Sequence, residues 1–485
     1  MSPFSSPKPR RQLRSHRWLS VLASLLLAFN FAGCAVGPDY KRPAVNPPAG
    51  FRGETDVATN SFADLPWWQV FHDDTLQGLI RTALTNNYDL RIAVTRVEQA
   101  SAIAAQARSQ FYPQVNYAGS AAAGQNISAG APAPTGTRGS IFSLDANASW
   151  EIDLWGRLRR QSESARAQFV ASQQAQHDAM ISLIAQVAQD YFQLLALDRE
   201  LAIARDSTNS FGQSYQLFDE QLRGGVASRL ETSSAAALMH SAAATIPNLE
   251  QQIVLQEDQL SVLLGQNPGM IVRGNTSLED ELPPEVPAGL PSALLERRPD
   301  VREAEELLHS ANAQLGVAKS DFFPQLDLTG LFGDASTHLS AFTGGGDVAW
   351  GVAAGLTGPL FHGGQIRAEY AQARAFRDQY ALQYESAVLT AFQEVSDALI
   401  TREKSAAARQ EQTLAVDAYK EAVKVSMQRY RQGNASYYEV LQEQQELFPA
   451  ENSLVQTQLN QVVAVVQLYR ALGGGWDTNG TAGSK

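Results

Sequence analysis

Apolar positions recur along this chain with two different periods, and the order of the periods repeats. Residues from about 73 to 110 are Ala- and Gln-rich, free of proline and helix-like, until Pro113 stops the run. Gln114 to Gly124 is strand-compatible, and a Gly/Pro/Ser loop from Gln125 to Gly139 follows. The period then becomes two: Leu144, Ala146, Ala148 and Trp150 alternate with Ser143, Asp145, Asn147 and Ser149. A very long helical stretch, about 158–222, has no internal proline. Gly224-Gly225 breaks it, and a returning helix runs to about 266. The same succession then starts again. Leu326 and Leu328 alternate with Asp327 and Thr329, and Asp334 to Gly346 forms a loop. Val348, Trp350, Val352, Ala354 and Leu356 then alternate with Ala349, Gly351, Ala353 and Gly355. A second long helix spans about 364–432, Gln432-Gly433 ends it, and the last helix closes near 472.

The recurrence extends to residue identity. Ala107-Arg108-Ser109-Gln110-Phe111-Tyr112-Pro113-Gln114 returns as Ala318-Lys319-Ser320-Asp321-Phe322-Phe323-Pro324-Gln325, an offset of 211 with five of eight identical. Arg223-Gly224-Gly225-Val226-Ala227-Ser228 with Glu231 returns as Arg431-Gln432-Gly433-Asn434-Ala435-Ser436 with Glu439, an offset of 208. Leu264-Gly265 and Leu472-Gly473 share that offset. Two structural repeats, about 67–270 and 292–475, follow from this, with a connector at 271–291 and a short tail at 476–485. Each contributes a hairpin, about 112–153 and about 323–360, and a long helical hairpin. Around 65 residues at 1.5 Å per residue make a helix of roughly 100 Å. Ile184, Val187, Tyr191, Leu194 and Leu201 step in heptads, as do Val388, Phe392, Val395 and Leu399, so these helices pack as coiled coils.

Residues 1–33 carry a basic stretch ending at Arg17, an apolar run from Trp18 to Phe31 and then small residues, the pattern of a secretory signal. The only cysteine, Cys34, stands directly after Ala32-Gly33. A lone cysteine is ordinarily a small buried hydrophobe, but this one resembles the diacylated residue of a bacterial lipobox, with Phe31 where Leu is usual. Several acyl chains on one residue exceed the threshold for stable anchoring, and residues 34–66 become a lipidated extension. Ala35 after the cysteine, by analogy with bacterial lipoproteins, does not mark the protein for the inner membrane.

Charge narrows the function. Without the five basic residues before Cys34, 33 basic side chains face 50 acidic ones, which argues against a nucleic-acid binder. One cysteine excludes a disulfide framework or a multi-thiolate metal site. The histidines, among them His72, His177, His240, His309, His338 and His362, have no metal-ligand spacing. No phosphate-cradling glycine loop follows a strand, so no cofactor and no enzyme activity are read. Four strands per chain cannot close a barrel alone, and open edges are not tolerated in lipid, so several chains must pool their hairpins. Phe111, Tyr112, Trp150, Trp155, Phe322, Phe323 and Phe361 near strand ends suit an interfacial girdle.

Cys34-Ala35-Val36-Gly37-Pro38-Asp39-Tyr40-Lys41-Arg42-Pro43, Pro66-Trp67-Trp68-Gln69-Val70-Phe71, the paired hairpins, Arg429-Tyr430-Arg431-Gln432-Gly433 and Ala471-Leu472-Gly473-Gly474-Gly475-Trp476 together resemble the outer membrane factor lipoproteins of tripartite efflux pumps, the NodT-like branch of the TolC superfamily. The resemblance covers essentially the whole mature chain. It implies a homotrimer with a 12-stranded β-barrel in outer-membrane lipid, four strands per chain, continued by a long periplasmic α-helical barrel. It also implies two partners, a periplasmic adaptor and an inner-membrane transporter of the resistance-nodulation-division type.

By the same resemblance, the helix breaks at Arg223, Gly224, Gly225, Ala227, Ser228 and at Arg431, Gly433, Ala435, Ser436 dock the adaptor at the periplasmic tip. Their plain reading is helix termination by glycine, and the two are compatible. Glu231 and Glu439 match acids that close and line the pore entrance, and three copies of each would form carboxylate rings that favour cations. Tyr430 and Arg431 match positions that link neighbouring helices, with Glu231 the expected acceptor. Gln442 stands where the family often has a second acid, which weakens any cation block. A solvated surface carboxylate is the plain reading of both glutamates. A type I protein-secretion channel and a non-conducting trimeric structural lipoprotein remain as alternatives. The five Met and seven His are unclustered and give no support for a dedicated copper or silver route.

Overall fold

The computed structural model describes residues 35–52, 73–125, 127–128, 131–132, 138–274, 278, 291–339 and 348–474. The signal segment, Cys34, the Pro66 to Phe71 motif, most of the Pro-rich connector and the tail from 475 lie outside them. The chain is mostly helical with a small antiparallel sheet, and it divides into two compact units. One comprises residues up to 42, 99–169 and 306–381; the other comprises 43–98, 170–305 and 382 onward.

The helical run expected over 73–110 is two helices, α1 (Asp74–Asn86) and α2 (Tyr88–Ser109). Asn87 separates them because it serves both ends. Its backbone leaves the helical region at φ −58° and ψ 131°, and its Oδ1 accepts from the Leu90 amide at 2.9 Å. An amide side chain that caps the next helix stops the previous one, since it competes with the main chain for the same donors. Asp73 caps α1 through Thr75 N at 2.6 Å and Leu76 N at 3.2 Å.

The sheet holds β1 (Gln114–Gln125), β4 (Arg138–Ile152), β5 (Gln325–Ser336) and β6 (Val348–Thr357), hydrogen-bonded in that order, all antiparallel. Two short strands, β2 (Ile127–Ser128) and β3 (Ala131–Pro132), pair at the tip of the first hairpin. The pairing of β4 with β5 joins the two hairpins into one surface. Its register sets Tyr117, Ala146, Phe332 and Trp350 in one row, and Val115, Ala148, Gly330 and Val352 in the next but one. The rows between carry the other face, among them Gln114, Ser149, Thr329, Ala353 and Ala118, Asp145, Gly333, Ala349, with Leu331 an exception. One face is thus mainly apolar across all four strands, broken by Asp334 in the row of Gly119, Leu144 and Val348, and the other is polar or small. The apolar face is bare: Tyr117 is 86% exposed, Trp350 76% and Val352 81%.

Two helices of 67 residues, α3 (Arg157–Arg223) and α7 (Gln365–Arg431), follow the two hairpins. Each is followed by a helix of 35 residues, α4 (Arg229–Leu263) and α8 (Tyr437–Ala471). Short α5 (Pro291–Arg297) and α6 (Pro299–Ser320) lead into β5. In the second unit, the heptad residues Ile184, Val187, Tyr191 and Leu194 of α3 are buried with Val395 and Leu399 of α7 and Leu459, Val462, Val466 and Tyr469 of α8. Burial of such side chains contributes about 1.5–3 kcal/mol each. Arg298 pins this core by donating to the Ala471 carbonyl at 3.0 Å and pairing with Asp300 and Glu394.

Candidate functional site

Both long helices end the same way. Gly225 N donates to Leu222 O and Val226 N to Gln221 O; Gly433 N donates to Tyr430 O and Asn434 N to Arg429 O. These are paired Schellman caps, in which a left-handed residue lets two late amides return to earlier carbonyls. Gly225 and Gly433 sit at φ +75° and +74°. Nothing lies within 4 Å of a Cβ built on either, so backbone sign, not crowding, selects glycine there.

The two turns then diverge. Ser228 caps α4 in a closed capping box: its Oγ accepts from Glu231 N at 3.4 Å and its own N donates to Glu231 Oε2 at 2.8 Å. Ser436 occupies the same place before α8 without a side-chain cap bond, and Glu439 pairs with Arg429 at 3.1 Å instead. Within one chain, Tyr430 and Arg431 do not meet Glu231. Tyr430 Oη accepts from Gln221 Nε2, and Arg431 makes no ion pair among the described residues. Glu231 is occupied by its own helix start, three residues away, which is the shorter closure.

Beneath the turns lies a small core. Phe218, Ala235, Tyr437, Val440 and Leu441 are buried, with Tyr430 and the half-buried Ala227 against them. Tyr437 meets Phe218 and Tyr430 edge to face, with centroids 4.8 and 4.7 Å apart. Its hydroxyl shares a 2.6 Å hydrogen bond with Ser214, and Gln444 links Ser214 and Ser210. Burial pushes the Tyr437 phenol up, only partly offset by Ser214, so it stays neutral and hydrogen-bonded. Ala435 is half-buried; Arg223, Gly224, Gly225, Ser228, Glu231, Arg431, Gly433, Ser436 and Gln442 are exposed. Sequence reasoning missed Val226 (81% exposed), Leu230 (76%) and Tyr438, large apolar groups flanking the turns. Their signal was apolar residues beside glycine where a solvated turn needs none.

A second constellation fixes the segment just after Cys34 to the first unit. Val36 N donates to Trp155 O at 2.8 Å, Asn312 Nδ2 to Pro38 O at 2.9 Å, and Asp39 pairs with buried Arg160 at 2.7 Å. Tyr40 stacks on His309 at 4.6 Å. Gly37, at φ +114°, lies so close to Gly316 that a Cβ would come within 2.7 Å of its Cα. His309 in turn faces Glu163 at 3.0 Å and Glu306 at 3.5 Å. The bond to Glu306 and then that to Glu163 raise its pKa against the opposing effect of burial. Aromatic contacts continue where strands meet helices: Trp155 stacks on Phe323 at 4.7 Å and donates to Pro324 O, and Trp150 Nε1 donates to Phe111 O at 3.0 Å.

Residues 79–266 and 290–474 match the protein family described as Outer membrane efflux protein. The chain is 33% identical over 465 residues to the probable efflux pump outer membrane protein TtgC of Pseudomonas putida, covering 94% of this chain and 96% of that one. It is 33% identical over 463 residues to the cation efflux system protein CusC of Escherichia coli K12, covering 94% and 99%. The open-state MtrE outer membrane channel of Neisseria gonorrhoeae superposes with a TM-score of 0.83 at 31% identity, covering 91% of this chain and 99% of that one.

Proposed function

Because this chain belongs to the outer membrane efflux protein family and is an outer-membrane exit duct of efflux pumps, we propose that three copies form the conducting unit, gated at the helix turns. The carrying observation is the register of the sheet. Four strands with one mainly apolar face, interrupted at Asp334, and one polar or small face leave β1 and β6 as open edges. Unpaired edges are untenable in hydrocarbon. With alternating strand directions, β6 of one copy meets β1 of the next antiparallel, and three copies close a barrel of about twelve strands. Strands of 10 to 15 residues suffice to cross a tilted bilayer span of about 9–11.

The equal lengths of the paired long and returning helices, and the two spans matched by the family, support the internal duplication, with repeats at about 67–270 and 292–475. The docked segment 36–40 supports lipidation at Cys34, because it tethers the neighbouring residue to the strand-end aromatics. Glu231 and Glu439 form the entrance rings, Gln442 leaves them without a second acid nearby, and Tyr430 and Arg431 belong to the gate. The two glycine turns, with Val226, Leu230 and Tyr438, present the surface for a periplasmic adaptor, which connects the duct to an inner-membrane transporter of the resistance-nodulation-division type. Glu439, already paired with Arg429, contributes a weaker ring than Glu231.

Single-channel conductance of the purified protein in a planar bilayer tests this, wild type beside Tyr430→Phe/Arg431→Ser. A small, mostly closed conductance that rises in the double variant is expected. No conductance from a verified trimer in either form would bring the structural lipoprotein forward.

A further inference from the structure

Beside the start of β1, α2 and the first turns of α3 flank an open cavity of about 710 Å³ lined by Ala104, Ala105, Arg108, Phe111, Ser162 and Arg166, in which Ala105 and both arginines are exposed. Its charge has no acidic partner among the described residues. The nearby carboxylates are already taken: Glu151 by Arg157, Asp153 by Arg159 at 3.1 Å, and Glu163 by Arg160 at 2.8 Å and His309. Arg108 and Arg166 have no carboxylate within ion-pairing distance among the described residues. The larger cavity by the second hairpin, about 790 Å³, has the opposite character, with Asp321 and Glu369 and no basic side chain.

The basic cavity also adjoins the apolar sheet face. Trp150, whose row on β4 pairs with Leu328 and Ala354, reaches across to donate to the carbonyl of Phe111, a wall of the cavity. Two guanidiniums with no acidic partner among the described residues, lining one cavity with an aromatic and two alanines at the border of a lipid-facing surface, match a phosphodiester with an acyl chain beside it. Guanidinium recognises phosphate oxygens bidentately, and the aromatic and alanine surface takes the glycerol and first methylenes. Basic pockets at the edge of a membrane-embedded surface hold lipid head groups by this chemistry.

We infer that Arg108 and Arg166 bind the head-group phosphate of an anionic phospholipid at the helix end of the sheet. This rests on the apolar face lying in lipid, as proposed above.

The test is native mass spectrometry of the detergent-purified full-length trimer titrated with phosphatidylglycerol, wild type beside R108Q/R166Q. R367Q/R374Q, which removes the same charge elsewhere on the first unit, is the control. Loss of two charge-assisted contacts is expected to weaken retention about tenfold or more in R108Q/R166Q, with the control unchanged. Equal retention by wild type and R108Q/R166Q overturns the site, and so does an equal loss in both double variants, which would be unspecific attraction. Displacement of the lipid by millimolar inorganic phosphate would reassign the cavity to a free anion and overturn the lipid. An Ala105→Cys trimer unreactive to a soluble maleimide without lipid would place a second copy over the cavity, which also overturns it. Reconstitution into phosphatidylcholine nanodiscs separates the two readings: no insertion sinks the membrane-barrel reading and this site with it, whereas insertion without head-group preference sinks the site alone.

Discussion

The Gln221 side-chain amide donates to the Tyr430 hydroxyl, tying the last turn of α3 to the last turn of α7. This polar contact joins the ends of the two 67-residue helices beside the Phe218–Tyr437 cluster. A neutral hydrogen bond contributes about 1 kcal/mol net, or roughly fivefold in a two-state population. Gln221→Ala is therefore expected to raise channel open probability about fivefold in a planar bilayer, without change in fully open conductance. An unaltered open probability would remove this contact from the gate.

Glu231 and Glu439 occupy matching places and have different partners, Ser228 and Arg429. The Arg429 pair is half-exposed, so it adds little stability, but it holds one carboxylate's charge. Arg429→Gln leaves that carboxylate unpaired in every copy. Reversal potential in a KCl gradient is expected to move toward cation selectivity, while stability changes by under about 1 kcal/mol. Glu231→Gln should move the potential the other way.

Gly225 and Gly433 need their backbone sign and not their space. Gly225→Ala is expected to cost about 1–2 kcal/mol locally, and Gly225→Asn about half as much, because a left-handed alanine is strained and asparagine tolerates that region. Hydrogen exchange of amides 218–232 should quicken about fivefold or more in the alanine variant. Equal exchange in both variants would mean the turn relaxes into another cap.

His309 gives the N-terminal segment a pH dependence. Its folded pKa lies above the ordinary 6.5, raised chiefly by Glu306 and then Glu163. Its stabilisation is thus fully present below about 6.5 and lost as pH rises through the raised value. Protection of the Val36 amide is expected to be greater at pH 5.5 than at pH 8.5, and His309→Gln should flatten that difference. The same slope in the variant would assign the effect to another group.

Local physics made much of this protein legible. Helix period, proline stops and paired glycine breaks depend on neighbours a few residues apart, so they could be read from the order of residues alone. Alternation in β4 and β6 showed in the same way which side chains share a face. The break at Asn87 was hidden because Asn86 and Asn87 are ordinary residues in a helix-like run, and only the capped Leu90 amide reveals the stop.

Other features depended on contacts between residues far apart in the chain. The β4–β5 pairing that sets Ala146 beside Phe332, the seating of Tyr40 on His309, and the choice of Gln221 for Tyr430 while Glu231 closes its own cap all have this origin. A sequence states which partners each residue could accept. Which one it takes depends on the distance left after the helices pack, and that is set only by the tertiary structure.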